Sequence, residues 1–191
     1  MKPRLANAAH VSLLAVLALL LSGCGPKQIV WREEVKLQSG EVLNTRRTAL
    51  AEPFGQIGGT GGWENEGMTV EIIAPLKPGY PSAWSAKFVP LVFDRDPDTK
   101  EWFMVATFYS CTSWYNLGRP KLPYTEYRFK SGQWVQQALS EKLIGREANM
   151  LTSIRSSGEP DHTLASKELE LGNVKVAPKY RHVRGEWQTN C

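Results

Sequence analysis

The sequence predicts a mainly β protein: a single antiparallel β-rich domain, built as a twisted sheet, a small sandwich or a partial barrel. One or two short helices are expected toward the C-terminus. Three observations carry this. Apolar and polar residues alternate with a period of two in several short runs. Turn-forming Ser-Gly, Pro and Asp clusters separate those runs. Gly (16 residues), Pro (12 residues) and the aromatic residues are frequent, a mix that suits strands joined by turns over long helices.

The elements follow in order. Ile29, Trp31, Val35 and Leu37 alternate with Arg32, Glu34 and Lys36, which makes a strand whose apolar face Glu33 interrupts. Ser39-Gly40 turns the chain, and Glu41 to Leu50 returns as a weaker strand. Phe54 to Gly67 is too glycine-rich for a regular element and reads as a loop. Met68, Val70, Ile72 and Ala74 mark the next strand, which Pro75 to Pro81 interrupts. Lys87–Phe93 and Trp102–Tyr109 are nearly continuous apolar runs, so this hairpin is expected to be covered on both faces and central. Pro90 cannot donate to a ladder and marks an edge or a bulge. Tyr124–Phe129, Ser131-Gly132 and Gln133–Leu139 form another hairpin. KLQSGEVL and RFKSGQWV share its turn chemistry. Ser140 to Ile154 is expected to hold a short helix capped by Ser140, and Ala165 to Leu171 one or two helical turns. Ser156 to Asp161 reads as a loop, and Val174 to Trp187 is ambiguous. Six or seven strands in all are expected.

The amino-terminal segment has a separate logic. Lys2 and Arg4 precede Val11–Leu21 (VSLLAVLALLL), an uncharged run. A bilayer-spanning helix needs about 20 apolar residues, so this run fits the centre of an export signal. Leu21-Ser22-Gly23-Cys24 then resembles the lipobox of bacterial lipoproteins. The resemblance implies cleavage between Gly23 and Cys24, a diacylglycerol on the Cys24 thiol and acylation of the new amino group. Two or three acyl chains make a stable anchor where one does not. Gly25 stands where inner-membrane lipoproteins often carry Asp, which points to the outer membrane, facing the periplasm. Residues 1–23 are thus expected to be removed and 24–191 to form one β-rich envelope domain. Losing Lys2 and Arg4 lowers the net charge from +4 to about +2. With no basic run, nucleic acid is not expected as a partner.

With Cys24 lipidated, Cys111 and Cys191 remain, in an oxidising compartment. A disulfide between them would close a loop of about 80 residues, worth roughly 4–5 kcal/mol in the chain-entropy model. The alternative is two free thiols, with Cys111 buried as a small hydrophobe. Trp31-Arg32-Glu33-Glu34-Val35 and the block from Gly118-Arg119-Pro120 to Gly132-Gln133-Trp134-Val135 resemble a family of uncharacterised proteobacterial lipoproteins. That resemblance brings no catalytic residues with it.

No motif selects an enzyme. Asp94, Asp96 and Asp98 open like a calcium loop, but Thr99 replaces the glycine such loops need, and the segment reads as a polar turn. The glycine-rich loop lacks the Gly-Lys-Ser/Thr ending of a phosphate-binding loop. His162 and His182 have no companion spacing, with His182 in a solvated basic stretch, so no metal or cofactor is expected. Trp63, Trp84, Trp114, Tyr115 and Tyr124 lie in or beside loops, where they either cover the sheet ends or contact a partner. The expectation is a non-catalytic, lipid-anchored envelope protein that binds another envelope protein. The alternatives are a peptidoglycan- or glycan-binding module using Trp63, Trp84, Trp114 and Tyr115, and a periplasmic hydrolase.

Overall fold

The computed structural model describes residues 27–54, 62–108, 111–153, 161–173 and 180–186. The strands are β1 (Lys27–Lys36), β2 (Val42–Phe54), β3 (Gly62–Ala74), β4 (Trp84–Ala86), β5 (Val89–Arg95), β6 (Trp102–Thr107), β7 (Tyr124–Lys130) and β8 (Gln133–Gln137). They form two antiparallel four-stranded sheets, ordered β1-β2-β3-β4 and β5-β6-β7-β8. The protein is therefore mainly β, as its periodicity predicts, and takes the sandwich option; neither sheet closes into a barrel. Helix α1 (Cys111–Asn116) lies mid-chain, where no helix was expected, and α2 (Leu164–Leu171) lies near the C-terminus.

In the first sheet, Ile29, Trp31, Glu33 and Val35 of β1 face inward. Leu37 closes the turn around Gly40, whose φ of 87° suits glycine. The second hairpin turn differs despite its shared Ser-Gly. Both Ser131 (φ 49°) and Gly132 (φ 83°) are left-handed there, as a two-residue type I′ turn requires. Of the loop expected at Phe54–Gly67, Phe54 and Gly62–Gly67 are strand. The ladder pairs Glu52 with Glu64, Pro53 with Trp63 and Phe54 with Gly62, leaving residues 55–61 outside the described ones. A ladder is bonded through the backbone, so glycines that erase side-chain periodicity need not end it.

In the second sheet, β5 and β6 are buried on both faces. β6 is central as expected, but β5 is an edge strand. Pro90 sits on that edge and beside a bulge: the register passes from Pro90–Ala106 to Val92–Val105, leaving Leu91 over. A side chain supplies the missing neighbour. Asn149 Oδ1 accepts from Phe93 N (2.9 Å), and Asn149 Nδ2 donates to Phe93 O (2.9 Å) and to Lys36 O (3.0 Å). One carboxamide thus completes β5 and ties it to β1 of the facing sheet.

The main core lies between the sheets and takes residues from both, among them Trp31, Leu43, Met68, Trp84, Phe93, Met104 and Tyr127. Trp84 meets Tyr127 edge-on across the interface, with ring centroids 5.4 Å apart. A second core, with Leu91, Phe103, Val105, Leu143 and Val183, lies where the C-terminal segment covers the other face of the second sheet. There the short helix expected from Ser140 is a three-residue 3-10 helix, Glu141–Leu143, with Ser140 at its N-cap position but without a cap from the Ser140 side chain. Ser140 N is drawn instead to the buried Glu126 carboxylate (2.8 Å). Residues 180–186, expected to be solvated around His182, pair with this segment: Gly145 N donates to Val183 O (2.7 Å) and Val183 N to Arg146 O (2.8 Å). Val183 is fully buried. α2 forms as its sequence predicts, with Thr163 as its cap.

Candidate functional site

The aromatic residues singled out from the sequence do not form one surface. Trp84 is 1 % exposed and belongs to the core; it sits on short β4, whose inward phase a three-residue strand cannot reveal as a pattern. Tyr124 is also buried, its hydroxyl accepting from Arg184 N (3.3 Å) and donating to His182 O (3.3 Å). Trp63 lies on β3 opposite Pro53. Trp114 and Tyr115 are neighbours on α1, with rings 5.2 Å apart. Trp114 is half-buried and donates to Pro120 O (3.2 Å), while Tyr115 is exposed beneath the Arg119 guanidinium (4.9 Å). Cys111 opens α1 and is engaged rather than free. Gly23, Cys24 and Cys191 lie outside the described residues.

The outer face of the first sheet is open and carries a hollow. Strand register lines up side chains across it: Val30, Thr48, Thr69 and Ser85 form one row, and Gln28, Leu50 and Gly67 the next. Because Gly67 adds no side chain, the face carries a shallow hollow of about 420 Å³ there, rimmed by Gln28, Thr48, Leu50, Thr69, Ser85 and Lys87. Thr69 Oγ1 donates to Ser85 Oγ (3.3 Å), and Lys87 is paired with Glu66 (3.1 Å). Val30 and Leu50 add exposed aliphatic surface beside these hydroxyls. Such a face can hydrogen-bond and pack against a partner.

Glu33, which interrupts the apolar face of β1, is buried inside together with Arg47 and Lys167. Arg47 and Glu33, both essentially inaccessible, pair at 3.0 Å between β2 and β1. Arg47 also donates to Leu151 O (2.5 Å) and lies over the Trp31 ring (4.9 Å). Lys167 of α2 reaches the same cluster, donating to Glu34 O (2.6 Å) and Asn149 O (2.5 Å) with Glu33 at 3.8 Å. Burial pushes its ammonium below the usual lysine range, against the pull of the Glu33 charge. The available signal was a charge at an inward phase on each of two paired strands, Glu33 on β1 and Arg47 on β2.

A second cluster closes the β5–β6 end. Asp94 and Arg95 end β5, and the turn expected of this segment follows over Pro97–Thr99, with Asp96 Oδ1 accepting from Asp98 N (3.0 Å) and Thr99 N (3.3 Å). Its other oxygen takes Arg128 (2.7 Å) and Lys142 (2.5 Å). Burial alone would raise the Asp96 pKa; the hydrogen bonds from Lys142, Arg128 and the two backbone N–H groups outweigh it and hold the carboxyl well below its usual range. Arg128 also pairs with Glu126, and Arg146 with Asp94. The Arg128 and Arg146 guanidinium groups both lie over the Phe103 ring, at 5.2 and 5.7 Å from its centroid. Both clusters fasten the C-terminal segment to the sheets.

Among the described residues, no group of three or more His, Cys, Asp or Glu is placed to hold a metal ion, and no helix is long and apolar enough to cross a membrane. Comparison with protein-family models, with curated proteins and with solved structures finds no match.

Proposed function

We propose that this is a lipid-anchored protein of the bacterial cell envelope. It is held at the outer membrane, facing the periplasm, through Cys24 after removal of residues 1–23. Its β-sandwich is a non-catalytic module that binds another envelope protein. The order of positive start, short apolar run and lipobox supports the anchor. The observation that carries the binding role is the open outer face of the first sheet, where hydroxyl, amide and aliphatic groups stand together around the hollow at Gly67. A Cys111–Cys191 disulfide, formed in that oxidising compartment, belongs to the same reading.

The second reading is a glycan-binding module. The Thr48, Thr69 and Ser85 row favours it, because aligned hydroxyls suit sugar hydroxyls. It no longer rests on Trp84, which is in the core.

In-cell crosslinking followed by affinity recovery tests both, with a soluble Cys24→Ser form as control. Gly67→Arg is the informative variant: a Cβ at Gly67 meets nothing within 4 Å, so the side chain fills the hollow without displacing the fold. A protein partner that is recovered by the parent chain and lost with both variants supports the proposal. Recovery of cell-wall fragments instead moves the glycan reading forward. Intact mass tests the anchor: a chain starting at Cys24 without acyl mass refutes it. A mass unchanged by reduction refutes the disulfide.

A further inference from the structure

The exposed sheet edges are managed unequally. β1 is met by the segment before α2, where Glu34 N donates to His162 O (2.9 Å) and His162 N to Arg32 O (3.0 Å). β5 is completed by Asn149 and Met150. β4 is three residues long. β8 is different: it runs five residues at the end of its sheet, and among the described residues no strand pairs with its outer side. Edges are usually blunted by charge, proline or a bulge. The β8 sequence, Gln-Trp-Val-Gln-Gln, has no charge and no proline, and its register with β7 is unbroken.

The hairpin fixes which groups face out. In a two-residue hairpin the residues flanking the turn, here Lys130 and Gln133, form a hydrogen-bonded pair. Gln133, Val135 and Gln137 therefore bond toward β7, and Trp134 and Gln136 direct their N–H and C=O groups away from it.

We propose that β8 is a dimerisation edge. Two copies pair antiparallel through it about a two-fold axis at Val135, joining their four-stranded sheets into one continuous sheet. The strand is self-complementary in this register. Trp134 meets Gln136 of the second copy as a hydrogen-bonded pair, and the symmetry repeats that pair, using the outward groups of both residues. Val135, 39 % exposed in the single chain, meets Val135 of the second copy at a non-hydrogen-bonded position, where side chains lie closest. Gln133 falls opposite Gln137. A two-fold axis sets like groups against like, and a strand without charge suffers no repulsion from that. A foreign strand would not need this symmetry. The inference does not depend on the anchor or on the hollow at Gly67.

The full-length chain carrying Val135→Cys tests it. Cα atoms at a non-hydrogen-bonded antiparallel pair lie about 4.5 Å apart, within disulfide reach. The expected result is a reducible dimer that the parent chain does not form, nor Val42→Cys, an equally open site on the first sheet. In sedimentation velocity the parent chain should dimerise, and Val135→Lys should weaken the dissociation constant by about ten-fold or more with an unchanged circular dichroism spectrum. A monomeric parent chain, or a dimer indifferent to Val135→Lys, overturns the proposal. Capture by Val135→Cys of a different protein and never of a second copy also overturns it.

Discussion

Arg47 and Glu33 show what a single residue costs in this fold. Their pairing is fully desolvated, and the Glu33 carboxylate also takes Leu151 N (3.2 Å). Removing one partner leaves a buried charge in deficit, so Arg47→Met should lower the unfolding free energy by about 3–5 kcal/mol. The double variant Glu33→Gln with Arg47→Met should lose less than the two single losses added, because they share one interaction. Urea denaturation checks both, and additive losses would show that the pair is not coupled. Asp96 makes a pH prediction. Its folded pKa lies below the unfolded value of about 3.9. The unfolded chain therefore takes up the proton first as the pH falls. The stabilisation is complete above about pH 4 and is lost as the pH drops further toward the folded value. Asp96→Asn should cost about 2–3 kcal/mol near neutral pH, leaving Arg128 short of one partner. Its stability should then decline less steeply than the parent chain's below about pH 4. Parallel slopes there would disprove the role.

At the scale of an element, β5 depends on a side chain for its outer neighbour at Phe93. Asn149→Ala removes three hydrogen bonds, two on Phe93 and one on Lys36. At about 1 kcal/mol each, a loss of about 2–3 kcal/mol is expected. The Phe93 amide should exchange with solvent faster than those of β6, and an unchanged rate would mean that other groups protect this edge. What the sequence showed of such elements followed the range of the forces involved. β1, the β5–β6 hairpin, the Pro90 bulge and α2 were legible because periodicity, turn residues and caps are local. The two ends of the Phe54–Gly67 stretch, Phe54 and Gly62–Gly67, were misread because pairing with a neighbouring backbone, which glycine permits, leaves no side-chain pattern. The helix expected from Ser140 is only three residues long, and its N-cap N–H is held by the Glu126 carboxylate fourteen residues earlier, a contact that no local pattern reveals. Trp84 was misplaced because its inward phase is set by pairing with Val70 of β3 rather than by its own neighbours. The face around Gly67 was invisible for the same reason: its rows exist only once four strands are in register.

For the whole molecule, the two sheets should behave as one folding unit. The main core belongs to neither sheet alone, since it draws Trp31, Met68 and Trp84 from one sheet and Phe93, Met104 and Tyr127 from the other. Gln38 N bonds the Asp94 carboxylate (3.0 Å) and Asn149 bonds both β1 and β5, so the polar links also cross between sheets. The C-terminal segment adds a second tie, covering one face of the β5–β8 sheet through Leu143 and Val183 while Lys167 holds α2 to β1. Separating the sheets would expose both sides of that interface and strand Lys167 away from its acceptors, and no partly unfolded form escapes those costs. Thermal or urea unfolding followed by tryptophan fluorescence and by far-ultraviolet circular dichroism should give coincident transitions. Tryptophan fluorescence reports the shared core through Trp31, Trp84 and Trp102, and circular dichroism reports the ladders of both sheets. Two separated transitions would mean that one sheet survives without the other. The inter-sheet core would then be a docking contact between independent units, and the stabilising role assigned to the C-terminal segment would have to be confined to the β5–β8 half.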